Sequence, residues 1–104
     1  MIKVTAYGKE RKLKMRGHSD FARKGEDIIC AAASFAYDMF KCTLLANSDK
    51  CKVDISEDDG KAEIAYMPTD SDYAAAADLL FRYTVNGLLM LSETYPDNIK
   101  VILR

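Results

Sequence analysis

At 104 residues the chain is long enough for one hydrophobic core and too short for two. Apolar residues make up 49% and charged residues 30%, the balance of a soluble globular domain, and no run of 18 or more apolar residues offers a membrane span. The net charge of −1 hides an asymmetry: residues 1–24 hold eight Lys or Arg against two acids, so the remainder carries −7.

Met1-Ile2-Lys3-Val4 lacks the apolar core of a signal peptide, which places the expected protein in the cytoplasm, with no membrane partner. Cys30, Cys42 and Cys51 are odd in number and have no metal-ligand spacing. They are expected as free thiols, with no disulfide framework, no metal and no cofactor.

In chain order, Ile2, Val4 and Ala6 alternate with Lys3 and Thr5 as a half-buried strand. Tyr7-Gly8-Lys9-Glu10 reads as a hairpin turn into a second strand over about 11–17, with Leu13 and Met15 inward. Continued alternation would put His18, the only histidine, on the polar side as that strand ends. Gly17 and Gly25 then bracket a polar stretch containing Ser19 and Phe21, which reads either as a mobile loop or lid or as a plain strand-to-helix connection.

A long helix is expected over roughly 27–46, capped by Asp27, with Cys30 at its third helical position. Asp27, Cys30 and Ser34 are spaced to share one face of it. Cys51, Val53 and Ile55 begin a third strand, and Asp59-Gly60 turns it into a fourth over about 61–67. The acidic run Glu57-Asp58-Asp59 is read as that turn and not as a metal site, since no second ligand cluster accompanies it.

A second helix is expected over about 72–94, with Leu80, Thr84, Leu88, Leu91 and Tyr95 on its apolar face, widened by Leu79, Val85 and Leu89. A last strand spans 99–103. The order is ββαββαβ. Alternating strands favour an α+β two-layer sandwich, with both helices on one face of a mainly antiparallel five-stranded sheet.

His18 and Cys30 lie twelve positions apart, so the intervening loop can fold them together. A cysteine nucleophile needs a base and an electropositive setting, and a helix N-terminus offers the second together with N–H donors for an oxyanion. On the residues alone Cys30 can equally be a small buried side chain in an alanine-rich helix. Asp27 either caps the helix or also orients the imidazole.

The stretch Gly17-His18-Ser19, followed by Gly25-Glu26-Asp27-Ile28-Ile29-Cys30-Ala31-Ala32-Ala33-Ser34, resembles the signature of the ribosomal-processing cysteine protease Prp family. That family carries Gly-His-Ala, a glycine-containing spacer, and Asp-Ile-Val-Cys-Ala-Ala-x-Ser; here Ser19 and Ile29 stand where alanine and valine are usual. The resemblance implies Cys30 as nucleophile and His18 as general base and acid. Gly17, Asp27 and Ser34 would support the site, and Ser19, Phe21 and Gly25 would belong to the loop that meets substrate. The implied activity is removal of a short N-terminal extension from a protein of the large ribosomal subunit, the one numbered twenty-seven. That extension ends in an aromatic pair before a small residue, and the enzyme is expected to act as a homodimer.

A rival reading from another class is a non-enzymatic ribosome- or RNA-associated module using Lys9, Arg11, Lys12, Lys14 and Arg16. Interleaved exposed aromatics that would stack bases are missing from these strands, so no direct nucleic-acid partner is expected.

Overall fold

The computed structural model describes residues 1–18, 22–23 and 27–104. Seven elements follow in the expected order: β1 (Ile2–Tyr7), β2 (Lys12–Arg16), α1 (Ile28–Ala46), β3 (Cys51–Asp58), β4 (Lys61–Pro68), α2 (Ser71–Thr94) and β5 (Ile99–Leu103). The strands form one sheet in the order β3-β4-β2-β1-β5. Three neighbouring pairs are antiparallel; β5 lies parallel to β1, because the chain returns to the sheet through α2.

Period-two alternation decides which face is dry. Ile2, Val4, Ala6, Leu13, Ile64, Tyr66, Cys51 and Ile99 all turn to the helices and are buried. The register that puts Leu13 opposite both Ala6 and Ile64 keeps those side chains on one face, and a one-residue slip would expose the whole set. The helices complete the core with Ile29, Ala33, Tyr37, Phe40 and Leu44 from α1, and with Ala77, Phe81, Val85 and Leu88 from α2. Phe40 meets Tyr66 at a centroid distance of 5.7 Å and an interplanar angle of 84°, while Phe81 lies 6.0 Å from Phe40 and 5.7 Å from Tyr66. These aromatic contacts, two edge-on and one tilted, join α1, β4 and α2.

The buried stripe of α2 differs from the expected one. Ala77 and Phe81 are buried with Thr84, Val85 and Leu88, whereas Leu79 is 59% exposed and Leu80, Leu89, Leu91 and Tyr95 only border the core. The sheet and α1 together set which part of the apolar arc turns inward, and α2 carries apolar residues around more of its circumference than its packing uses. α1 is similar. It is long and apolar enough to cross a membrane, yet it is the core helix, with Ile28, Phe35 and Met39 left exposed on its outer side.

A polar clasp closes the end of the sheet at the β1–β2 turn. Arg11, at φ 54°, donates from Nε and Nη2 to the two carboxylate oxygens of Asp78 on α2, at 2.9 and 3.0 Å. The Tyr66 hydroxyl donates to Asp78 Oδ1 at 2.8 Å, and the Tyr66 backbone N–H donates to the Arg11 carbonyl at 3.0 Å. A left-handed backbone on a non-glycine residue is held in place by this forked pair.

The hydrogen bond from the Arg11 guanidinium holds the Asp78 carboxyl below the usual carboxylate range, with burial opposing it and Tyr66 adding to it. A lowered folded value contributes stability that is full above the ordinary carboxylate pKa of about 3.9 and is lost as pH falls through the folded value. Asp78→Asn is therefore expected to lower the urea midpoint at pH 7 by the equivalent of about 1–2 kcal/mol and to flatten the acid limb of the stability profile. Chemical denaturation at pH 7 and at pH 3 measures both.

Candidate active site

The first turn of α1 is set by a carboxylate. Asp27, buried and extended at φ −84°, ψ 98°, is the N-cap. Its Oδ1 accepts the backbone N–H of Ile29 at 3.1 Å and of Cys30 at 2.9 Å, and its carbonyl accepts the N–H of Ala31 at 3.1 Å. Ile29 and Ala33 anchor the turn in the core at 0% and 1% exposure, which leaves Cys30 half-buried at its rim. The cysteine stands at the third helical position, as expected.

This cap revises one part of the expected chemistry. The N–H groups of Ile29 and Cys30, which the sequence offered to an oxyanion, are already taken by Asp27. The cap leaves the N–H of Ile28 outside it. Ser34, one turn on, is exposed, and its hydroxyl makes no hydrogen bond among the described residues.

His18 reaches the same place from the sheet. β2 ends at Arg16, and Gly17 follows at φ 91° with its N–H donated to the Gly60 carbonyl at 2.8 Å. A Cβ on Gly17 would overlap the Met1 carbonyl, so glycine is required there both by conformation and by space. This turn ends the strand alternation, and His18 follows it as an exposed residue at the strand's end. Its Nε2 lies 3.8 Å from the position a Cβ would take on Gly60, beside the β3–β4 hairpin. His18, Gly17, Cys30 and Ser34 line one cavity of about 330 Å³.

Ser19, Phe21 and Gly25, assigned to the substrate loop, lie outside the described residues. Among the described residues no group of three or more His, Cys, Asp or Glu side chains is placed to hold a metal ion. Cys42 is exposed and Cys51 is buried, where desolvation raises its thiol pKa first of all.

Tyr37 and Glu57 also line the cavity; Tyr37 was not singled out from the sequence, and Glu57, read there as part of the turn, lies on β3. Lys41 bridges Glu57 at 2.7 Å and Asp38 at 3.6 Å, and the Tyr37 hydroxyl makes a long contact of 3.4 Å with Glu57. Burial, with the Glu57 charge second, pushes the Tyr37 phenol well up, so it stays protonated and able to donate. The cluster ties the middle of α1 to the end of β3 and makes a polar wall. Tyr37 follows Cys30 by two helical turns, so its place on the same face was readable from spacing; its partner on a distant strand was not.

The sequence profile of the family described as Cysteine protease Prp matches residues 1–100. The chain belongs to that family. The ribosomal processing cysteine protease Prp of Staphylococcus aureus is 27% identical over 101 residues, covering 96% of this chain and 92% of its own length. Its counterpart in Bacillus subtilis is 26% identical over 90 residues, covering 85% and 80%. The crystal structure of the S. aureus Prp protease in complex with a covalently linked product peptide superposes over the full length of both chains, with a TM-score of 0.87 and 26% identity. The Prp fold, α+β with a five-stranded sheet and two helices, is the fold described above, and the chain is accordingly a cysteine protease.

Gly17→Ala tests the turn that aims His18. It should destabilise the fold by about 1–3 kcal/mol, through a forced positive φ and a backbone overlap, and should slow peptide cleavage more than the thermal shift explains. Paired melting and cleavage measurements on the same preparation separate the two effects.

Proposed function

We propose that this protease removes a short N-terminal extension from a protein of the large ribosomal subunit, with Cys30 as nucleophile and His18 as general base and acid. The observation that carries the reading is that His18 and Cys30, twelve residues apart in sequence, line one cavity. The substrate class follows from the relatives named ribosomal processing proteases, one of them crystallised with a peptide covalently attached.

In this mechanism His18 takes the thiol proton and the Cys30 sulfur attacks the scissile carbonyl carbon. The oxyanion so formed needs donors. Since Asp27 occupies two N–H groups of the first turn, the Ser34 hydroxyl and the Ile28 N–H take that part. Collapse of the intermediate breaks the C–N bond, and the imidazolium protonates the departing amine. His18 then deprotonates a water molecule, which attacks the thioester; the C–S bond breaks, the extension leaves as a carboxylic acid, and the imidazolium returns its proton to the Cys30 thiolate. Asp27 acts through position: its cap sets where Cys30 stands.

The same reading places the enzyme in the cytoplasm as a homodimer. The outer side of α2 supports the second copy, since Leu79, Tyr83 and Met90 are 59%, 73% and 68% exposed and lie on one side of the helix. The non-enzymatic alternative gives way to the family assignment, although the basic strands that prompted it remain to be explained.

Three outcomes are expected. Cys30→Ala should abolish cleavage of a peptide spanning the extension, read by mass spectrometry, and retention of near wild-type rate would sink the assignment. His18→Ala should reduce the rate by about 100-fold or more with an unchanged melting curve. Tyr83→Glu with Met90→Glu should shift the sedimentation coefficient to that of a monomer.

A further inference from the structure

The open face of the sheet carries a line of positive charge that the fold does not need. The register sets Lys61 on β4 opposite Arg16 on β2, Arg16 opposite Lys3 on β1, and Lys3 opposite Lys100 on β5. Four cations thus stand side by side across four adjacent strands, spanning about 14 Å at the usual interstrand spacing. All four are exposed.

Like charges directly opposite one another destabilise a sheet, so such a row needs a reason. The neighbouring row shows what an ordinary arrangement looks like: there Glu63 lies between Lys12 and Lys14, 3.4 and 3.9 Å from their ammonium groups. In the cationic row, Asp58 lies opposite Lys61 at the β3 end, and Lys3, Arg16, Lys61 and Lys100 make no ion pair among the described residues. A depression of about 500 Å³ lies over Lys3, Arg16 and Lys61. Arg16 and Lys61 also line the cavity that holds His18 and Cys30, so the two recesses share a wall.

We propose that this row docks the phosphodiester backbone of RNA beside the catalytic cavity. A straight line of fixed cations is complementary to a straight line of fixed anions, and it would repel a basic peptide. Tyr7 is the aromatic side chain lining the depression, so contact would run through phosphates with little dependence on base sequence. The choice of RNA over another polyanion rests on the proposed ribosomal-protein substrate, which is bound for RNA. A peptide extension engaged at Cys30 would then be recognised together with the nucleic acid it lies against.

Fluorescence anisotropy with a labelled single-stranded RNA of mixed sequence tests this on the full chain without substrate, so its failure leaves the peptidase assignment standing. Four phosphate contacts predict a slope of log K against log salt of about −3 for a single strand. Lys3→Ala with Lys100→Ala should weaken binding at least tenfold and roughly halve the slope. The same variant should melt no lower than the parent, because repulsion is relieved. Lys9→Ala with Lys50→Ala, outside the row, should bind as the parent does. Absence of salt-dependent binding overturns the proposal, as does equal binding by the Lys3/Lys100 variant. Capture of poly-glutamate or phosphatidylserine vesicles as tightly as RNA overturns it too, in favour of an acidic protein or a membrane surface. Loss of RNA binding together with a shift from dimer to monomer in the Lys3/Lys100 variant would assign the row to a second copy of the chain.

Discussion

Tyr66 is the residue through which the separate parts of this fold are coupled. Its ring closes the aromatic contact between Phe40 of α1 and Phe81 of α2, and its hydroxyl donates to Asp78, which in turn receives both arms of Arg11. One side chain on a central strand therefore links both helices and the first hairpin. Burial and that hydrogen bond push its phenol far above the ordinary range, so it is a donor at neutral pH. The middle of α1 is thus fixed against the sheet by packing that lies well away from its first turn.

With its middle fixed, α1 presents its N-terminal end at the opposite margin of the sheet, and local chemistry takes over. Asp27 satisfies the first N–H groups, Ile29 and Ala33 plug into the core, and Cys30 is left at the rim. Gly17 performs the matching task for the strand, since only a residue without a side chain can turn there under Met1. His18 and Cys30 line one cavity because two independent terminations, a strand end and a helix start, are set by the same core. The Asp27 cap stabilises the helix and occupies the N–H groups of Ile29 and Cys30 in its first turn.

The two faces of the sheet have been given different work. The helix side is dry and carries the fold; the open side carries a cation row whose repulsion subtracts from stability. Arg16 and Lys61 stand where the two meet, at the cavity's edge. Charge that opposes folding thus adjoins the cavity lined by His18 and Cys30.

Element order, the capping of α1 by Asp27, the position of Cys30 and the hairpin at Asp59-Gly60 were all legible in the sequence, because each depends on residues within a few positions of one another. The same holds for the family motif around His18 and Cys30. Tertiary structure decided the rest. Phe81 and Ala77, not Leu79, face the core because the sheet and α1 choose which arc of an over-apolar helix is buried. Glu57 reaches Lys41 and Tyr37 only once β3 lies beside α1. Arg16 was grouped from the sequence with its neighbours Lys12 and Lys14, and only strand register sets it side by side with Lys3, Lys61 and Lys100. Local chemistry is written in sequence neighbours, whereas charge rows and cavity walls are made by residues that the chain brings together from far apart.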